Sequence, residues 1–165
     1  MAIQALNSLY VIISSATSGG TAPGGTSAPT GCTLTSPSDI SAFVTGIDQG
    51  VAVETLEATT FGSGGFKAFV AGLRSGNLDL TLMNDYAAAQ LNALIGLNGS
   101  VRAVGSSSPL FIEVRPSSAA RSGSNPGFVC AALSIGFSTF AAQVGQIPMA
   151  NWKVQITGGF AELTA

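Results

Sequence analysis

The sequence predicts a mainly β chain, a β-sandwich or barrel flanked by one α-helix. Three observations carry this expectation. Short segments rich in Val, Ile, Leu and Phe alternate with a period of two, Gly/Ser/Pro clusters punctuate them, and one stretch, 85–95, keeps a helical period. At 165 residues, one domain spanning 1–165 is expected, with enough chain to bury a core.

Residues 6–13 are an apolar opening with Tyr10 and Val11 to Ile13 as strand formers. Residues 14–38 hold Ser, Thr, Gly, Pro and Ala without one charge, which predicts irregular structure or a linker on the outer surface, either a decorated loop or an ordered excursion. Ile40, Phe43 and Val44 are spaced for a short helix or a turn. From Ile47 the period is two: Ile47, Val51 and Val53 share a face expected to be buried, and Asp48, Gly50, Ala52 and Glu54 share the other. In 77–83, Leu78, Leu80 and Leu82 face inward, with Asn77, Asp79, Thr81 and Met83 opposite. The helix over 85–95 has Asp85 as its cap, helix-favouring Ala87 to Ala89, and the stripe Leu91, Leu94, Ile95. Gly96 or Gly99 ends it. Strands follow at 101–104 and 110–114, then a polar loop over 116–127. A long strand at 128–140 carries Gly136 as a candidate bulge. After a loop at 141–148, the strand 151–157 points Trp152, Val154 and Ile156 inward and Lys153 and Gln155 outward.

The segment 54–86 is the most informative. It begins in one alternating strand, ends in another at 77–83, and joins them through Phe61, Phe66, Phe69, Leu73 and the glycines Gly62, Gly64, Gly65 and Gly72. So long and apolar a connection is uncommon in a compact domain and is functional or mobile where it occurs. Left exposed, it marks an interaction surface. Residues 57–73 are therefore the candidate assembly loop.

Composition points the same way. Charged residues are 8% of the chain, against about 25% in ordinary globular domains. Hydrophobic residues are 46%, and mean hydropathy is +0.46. A solitary soluble domain needs more charge than this on its surface. No apolar run approaches the roughly 20 residues of a spanning helix, so no membrane partner is expected and much of the surface should lie against copies of the same chain. Six Lys+Arg against eight Asp+Glu give a net charge of −2, without the basic stripe that tight nucleic-acid binding needs. The first basic residue is Lys67, so no secretory signal is expected. Cys32 and Cys130 are accordingly expected as free thiols.

The materials for catalysis are scarce. The absence of histidine removes the usual general base, the Ser-His and Cys-His pairs and most zinc sites. Gly62-Ser63-Gly64-Gly65 lacks the context of a dinucleotide or phosphate loop and reads as a flexible turn. Glu54 and Glu57, three apart on a strand, point to opposite faces and make no acid/base pair. Asn98-Gly99-Ser100 fits a glycosylation sequon but reads as the turn after the helix. No catalytic residue, metal site or cofactor is expected, and the chain is read as a non-enzyme.

Several segments together resemble the major tail tube protein of long-tailed, siphovirus-type bacteriophages. They are Met1-Ala-Ile-Gln-Ala-Leu-Asn-Ser-Leu-Tyr-Val11, Glu57-Ala-Thr-Thr-Phe61-Gly62 and Phe66-Lys-Ala-Phe-Val-Ala-Gly72-Leu73-Arg-Ser-Gly-Asn-Leu78-Asp-Leu80. The likeness continues through the Asp85 helix and Val114-Arg115-Pro116, and resumes at Ser124-Asn125-Pro126-Gly127-Phe128. It covers most of the chain outside 14–38, which is longer and richer in Gly, Thr and Pro than the family pattern. No single motif is diagnostic; their order and spacing carry the resemblance.

The resemblance implies subunits that close into hexameric rings, inner sheets joined into a ring barrel, and rings stacked into a tube that conducts double-stranded DNA. It implies a virion location after assembly in the host cytoplasm, with the tape measure protein and tail-end proteins as assembly partners and DNA passing without tight binding. Phe61 to Leu73 fall on the family's loop that reaches an adjacent subunit or ring. The polar faces carrying Asp48, Glu54, Asn77 and Asp79 suit a lumen that must not hold phosphates. The alternatives are another self-assembling β-sandwich virion protein, such as a capsid decoration or fibre subunit, and a carbohydrate-binding β-sandwich. Trp152 and two tyrosines give the last of these poor aromatic platforms.

Overall fold

The structure, a computed structural model, describes residues 9–24, 28–60, 62, 64, 66–84, 91–96, 99–101, 103–138 and 144–164. Its strands are β1 (Tyr10–Ser14), β2 (Thr17–Ser18), β3 (Thr33–Leu34), β4 (Ser38–Asp39), β5 (Val44–Glu57), β6 (Phe69–Met83), β7 (Leu110–Arg115), β8 (Gly127–Phe137), β9 (Met149–Ile156) and β10 (Ala161–Leu163). A 3-10 turn covers Ser41–Phe43, and α1 is Leu91–Ile95. The chain is mainly β, as its alternating pattern predicts.

One antiparallel sheet runs β4-β1-β7-β8-β9-β6-β5, with β10 pairing the start of β8; β2 and β3 form a separate hairpin. The sheet folds over on itself. Gln49 of β5 and Val114 of β7, far apart in strand order, line one cavity, and both wings feed one core. That core takes Val11 and Ile13 from β1, Leu110 and Ile112 from β7, Leu78, Leu80 and Leu82 from β6, and Trp152, Val154 and Ile156 from β9. Leu91 and Ile95 of α1 complete it. Trp152 is fully buried because its indole N–H donates to the Ser134 hydroxyl at 2.9 Å, which satisfies the one polar atom of the ring.

The other side of β1, β7 and β8 is covered as well. Ile12, Val129 and Leu163 pack with Cys32 and Leu34 from the β2–β3 hairpin. The described residues of 14–38 thus include a hairpin packed on the sheet, not a free linker. Arg121 fixes it, donating from Nη1 to the Cys32 carbonyl at 2.6 Å while Nε and Nη2 each reach the Glu113 carboxylate at 2.7 Å. That carboxylate and the attendant hydrogen bond hold the Arg121 pKa above its ordinary value. Cys32 and Cys130 belong to clusters on opposite sides of the sheet, and both are free thiols.

Several expectations need correction. The connection between the alternating strands is not a loop over 57–73: β5 runs on to Glu57 and β6 begins at Phe69, leaving only 58–68 as the turn. Val51 and Val53 are not buried but 47% and 45% exposed. The reason is that β9 ends at Ile156 opposite Gly76, so no strand among the described residues covers the pair beyond that row. Residues 101–104 form no strand where described, because the Ser100 and Val101 amides bond back to the Ala93 and Leu94 carbonyls and wrap the end of α1. Strand β8 stops at Phe137, short of the expected 140. The opening strand begins at Tyr10, and α1 is described only from Leu91; residues 6–8, 139–140, Arg102 and the cap Asp85 with Ala87 to Ala89 lie outside the described residues. The bulge expected at Gly136 is present, as a register shift between Ser134 and Gly136.

Candidate assembly surface

Strands β5 and β6 stay paired past the end of β9, from Val51↔Gly76 to Glu57↔Phe69, and project as a two-stranded arm. At about 3.3 Å per residue the arm is roughly 20 Å long. Its turn is set locally: the Ala58 amide donates to the Ala68 carbonyl at 2.8 Å, the Ala68 amide to the Thr59 hydroxyl at 3.2 Å, and Lys67 Nζ lies 3.2 Å from Glu57 Oε2. Gly64 sits at φ 61°, in the left-handed region that favours glycine.

Each face of the arm carries exposed apolar side chains, beside Glu54 on one and Arg74 and Glu57 on the other. Between Val53↔Arg74 and Thr55↔Ala71, β6 takes three steps for two on β5, so the extra residue lies on β6 around Gly72 and Leu73. Alternation along β5 then sets Val51 and Val53 on the side of the core and Leu56, paired with Val70, on the opposite side. Phe66 is 81% and Leu73 78% exposed, and Phe69, Leu56 and Val70 are also exposed. Of the residues singled out in the sequence, Gly62, Gly64 and Phe66 lie in the turn, and Phe69, Gly72 and Leu73 lie on β6. Phe61 and Gly65 lie outside the described residues.

A second surface is the open side of β5, β6 and β9, where burial alternates along β6 and β9. Asp48, Asp79 and Lys153 form one cross-strand row, and Gly50, Asn77 and Gln155 form the next. Asn77 Nδ2 reaches Asp79 Oδ2 at 3.5 Å. Gly50 leaves room for the Asn77 amide there, since a Cβ would stand 2.5 Å from Asn77 Oδ1 and displace it. The structure therefore brings Asp48, Asn77 and Asp79 together. Glu54 shares their side by alternation but sits out on the arm, opposite the Gly72 bulge. Lys153 completes the row; its outward parity was readable in the sequence, its place beside Asp79 was not.

A third surface lies at the far end of the sheet from the arm. Val144 and Ile147, in the loop before β9, are exposed there; Ile135, also exposed, lies at the β8 bulge between the rows of Val154 and Lys153, nearer the arm. This loop has fixed feet: the Asn84 amide donates to the Pro148 carbonyl at 2.8 Å and the Ser138 amide to the Asn151 carbonyl at 2.9 Å. Sequence reasoning passed over it because Val144 and Ile147 stand singly among polar and glycine neighbours.

Among the described residues no group of three His, Cys, Asp or Glu side chains is placed to hold a metal ion. No described helix is long and apolar enough to cross a membrane. A cavity of about 520 Å³ is lined by Leu9, Gln49, Val114, Phe128 and Phe160, with Arg115 and Glu162 as its charged lining residues.

Solved structures share this fold, among them the following two. One is a chain in the virion of a native gene transfer agent particle, with 13% identity and a TM-score of 0.54 over 76% of this chain and 88% of that one. The other is a chain in the six-fold symmetrised baseplate of the anti-feeding prophage, with 13% identity and a TM-score of 0.56 over 99% of this chain and 97% of that one. At such identity the likeness is one of fold. No protein-family profile matches the chain, and no curated protein matches its sequence.

Proposed function

We propose that the chain is a structural subunit of a phage-type tail, a tail tube protein whose copies close into six-membered rings and stack into a conduit for double-stranded DNA. The observation that carries this reading is the arm. A two-stranded ribbon is marginally stable alone in water, and this one exposes large apolar side chains on both sides, so its stable state has another molecule around it. The low charge of the whole chain favours copies of itself as that molecule. The fold shared with a chain of a gene transfer agent virion, and with a chain of a six-fold prophage baseplate, supports a virion location and six-fold closure.

The open side of β5, β6 and β9 is the lumen wall in this reading. Asp48 and Asp79 outnumber Lys153 in its charged row, so six copies present rings of net negative charge that repel phosphates within the 8–10 Å or so that salt allows. The tape measure protein and tail-end proteins are its partners during assembly.

Negative-stain microscopy of the purified protein tests this. Hollow tubes with six-fold end views are expected. Closed shells or trimers would indicate a decoration or fibre subunit instead, and a monomer at all concentrations would return the chain to the ligand-binding class.

A further inference from the structure

We propose that the excursion at 14–38 is a strap that braces the root of the β5–β6 arm, by crossing the turn after β9 at Gly24 and Gly158. Such a brace works within one subunit, whatever covers the arm. The crossing is made backbone on backbone. The Gly24 amide donates to the Gly159 carbonyl at 3.3 Å, and a Cβ on Gly158 would stand 2.3 Å from the Gly24 carbonyl carbon. Gly158 sits at φ 73° and Gly24 at φ 101°, backbone that other residues rarely adopt. Beneath the crossing lies β8, where a Cβ on Gly24 would stand 3.1 Å from the Ala131 Cβ. Glycine at both positions is what lets the two segments pass so closely.

From the crossing a short run of contacts reaches the arm. The Thr157 amide donates to the Ala131 carbonyl at 2.8 Å, so the turn is held between β8 and the strap. That fixes the end of β9. There Gln155 Nε2 donates to the Gly76 carbonyl at 2.6 Å, and the Ile156 side chain fills the space beside Gly76, 3.0 Å from where a Cβ would stand. Gly76 is the last β6 residue paired with β9, and beyond it the arm has only its own two strands. A two-stranded ribbon is marginal alone, so the arm's direction is set where this grip ends. The strap has its own anchors: Arg121 holds the Cys32 carbonyl, and Cys32 and Leu34 pack with Ile12 and Val129. A cleft of about 750 Å³ has Gly24 and Ala28 of the strap on one side, Leu73 to Gly76 of the arm root on the other, and Thr157 to Gly159 between them. The turn is thus the bridge from strap to root.

Hydrogen exchange of the full chain tests the brace. Gly158→Ala forces the crossing apart, so the amides of 72–78 should exchange roughly fivefold faster or more, while those of β7 keep their rates. Cys32, fully buried between the hairpin and the sheet, should also react faster with a thiol reagent as the strap lifts. Gly105→Ala is the control: Gly105 sits at φ 81° with nothing within 4 Å of a Cβ, so it carries similar backbone strain without a crossing. Unchanged exchange at 72–78 in Gly158→Ala, or an equal rise in Gly105→Ala, would overturn the brace. A rise at 72–78 without faster Cys32 labelling would assign the effect to the turn alone and overturn it too. If Gly158→Ala does not fold, exchange of the unaltered protein in low urea decides. The amides of 17–24 and 72–78 should then open in one step, and opening of 72–78 under a still protected strap would overturn the brace. None of these results bears on the tube reading.

Discussion

Asp48 and Asp79 are direct cross-strand partners on β5 and β6, on the open side of the sheet, with Lys153 next in the same row. Like charges directly opposite one another on a sheet are destabilising, so folding alone gives no reason for the pair. The proposed lumen supplies one. Asp48→Lys with Asp79→Lys should still give tubes, since neither side chain belongs to the core. Particles carrying it should eject DNA more slowly, and most slowly at low salt, because phosphate attraction weakens as salt rises. Ejection kinetics at two ionic strengths read this; unchanged rates in particles shown to contain the variant would mean that the row faces elsewhere or that wall charge does not govern passage.

The buried Trp152–Ser134 hydrogen bond gives a prediction about the core. Ser134→Ala leaves the indole N–H unsatisfied and should cost about 1–3 kcal/mol of stability. Urea unfolding measures it. Adding Trp152→Phe removes the stranded donor, so the double variant should lose less than the sum of the two single losses.

Glu113 is 3% exposed and holds Arg121 bidentately, with Arg115 Nε 3.4 Å away. Arg115 also lies 4.6 Å from the centre of the Tyr10 ring. Glu113→Ala strands buried positive charge and should lose about 3–5 kcal/mol. Because Arg121 also ties down the Cys32 carbonyl, the first observable change should be faster amide exchange around Cys32 and Leu34. Uniform exchange across the sheet would separate the excursion from this ion pair.

Burial pushes the Cys130 thiol up to about 12 from an ordinary value near 9.0. The folded chain thus keeps a proton that the unfolded chain loses as pH rises past 9, so stability is full below that pH and falls above it until about pH 12. At pH 10 the loss is about 1.4 kcal/mol. Cys130→Ala should flatten the profile between pH 8 and pH 11 relative to the parent in denaturant titrations. Burial also raises the Cys32 thiol, so the residual slope in that variant should fall further when Cys32 is replaced as well.

Much of the body of the fold was legible because its strands bury one face. Leu78, Leu80, Leu82 and Trp152, Val154, Ile156 point inward as their period requires, and Gly136 marks the bulge. The arm was illegible for the converse reason. The register shift between Val53↔Arg74 and Thr55↔Ala71 and apolar residues on both sides break the period beyond it, so Leu56, Phe69, Val70 and Leu73 read as loop, while Val51 and Val53, which keep the period, read as core. The excursion hid its order in strands of two residues: Thr17–Ser18 and Thr33–Leu34 are too short for a pattern, and the burial of Cys32 depends on Arg121, far along the chain. The polar row was half legible, since parity gives the side of each residue and only register sets Asp48, Asp79 and Lys153 abreast.

The central claim is that the arm exists to be covered by another copy, and sedimentation of Phe66→Ser/Phe69→Ser against the unaltered protein tests it most directly. Each phenylalanine buried at an interface contributes about 1.5–3 kcal/mol, and neither ring belongs to the protomer's core clusters. The account predicts an unchanged far-ultraviolet spectrum and thermal transition for the protomer, with the fast-sedimenting tube fraction lost. A variant that sediments as tubes of normal length and amount would contradict it.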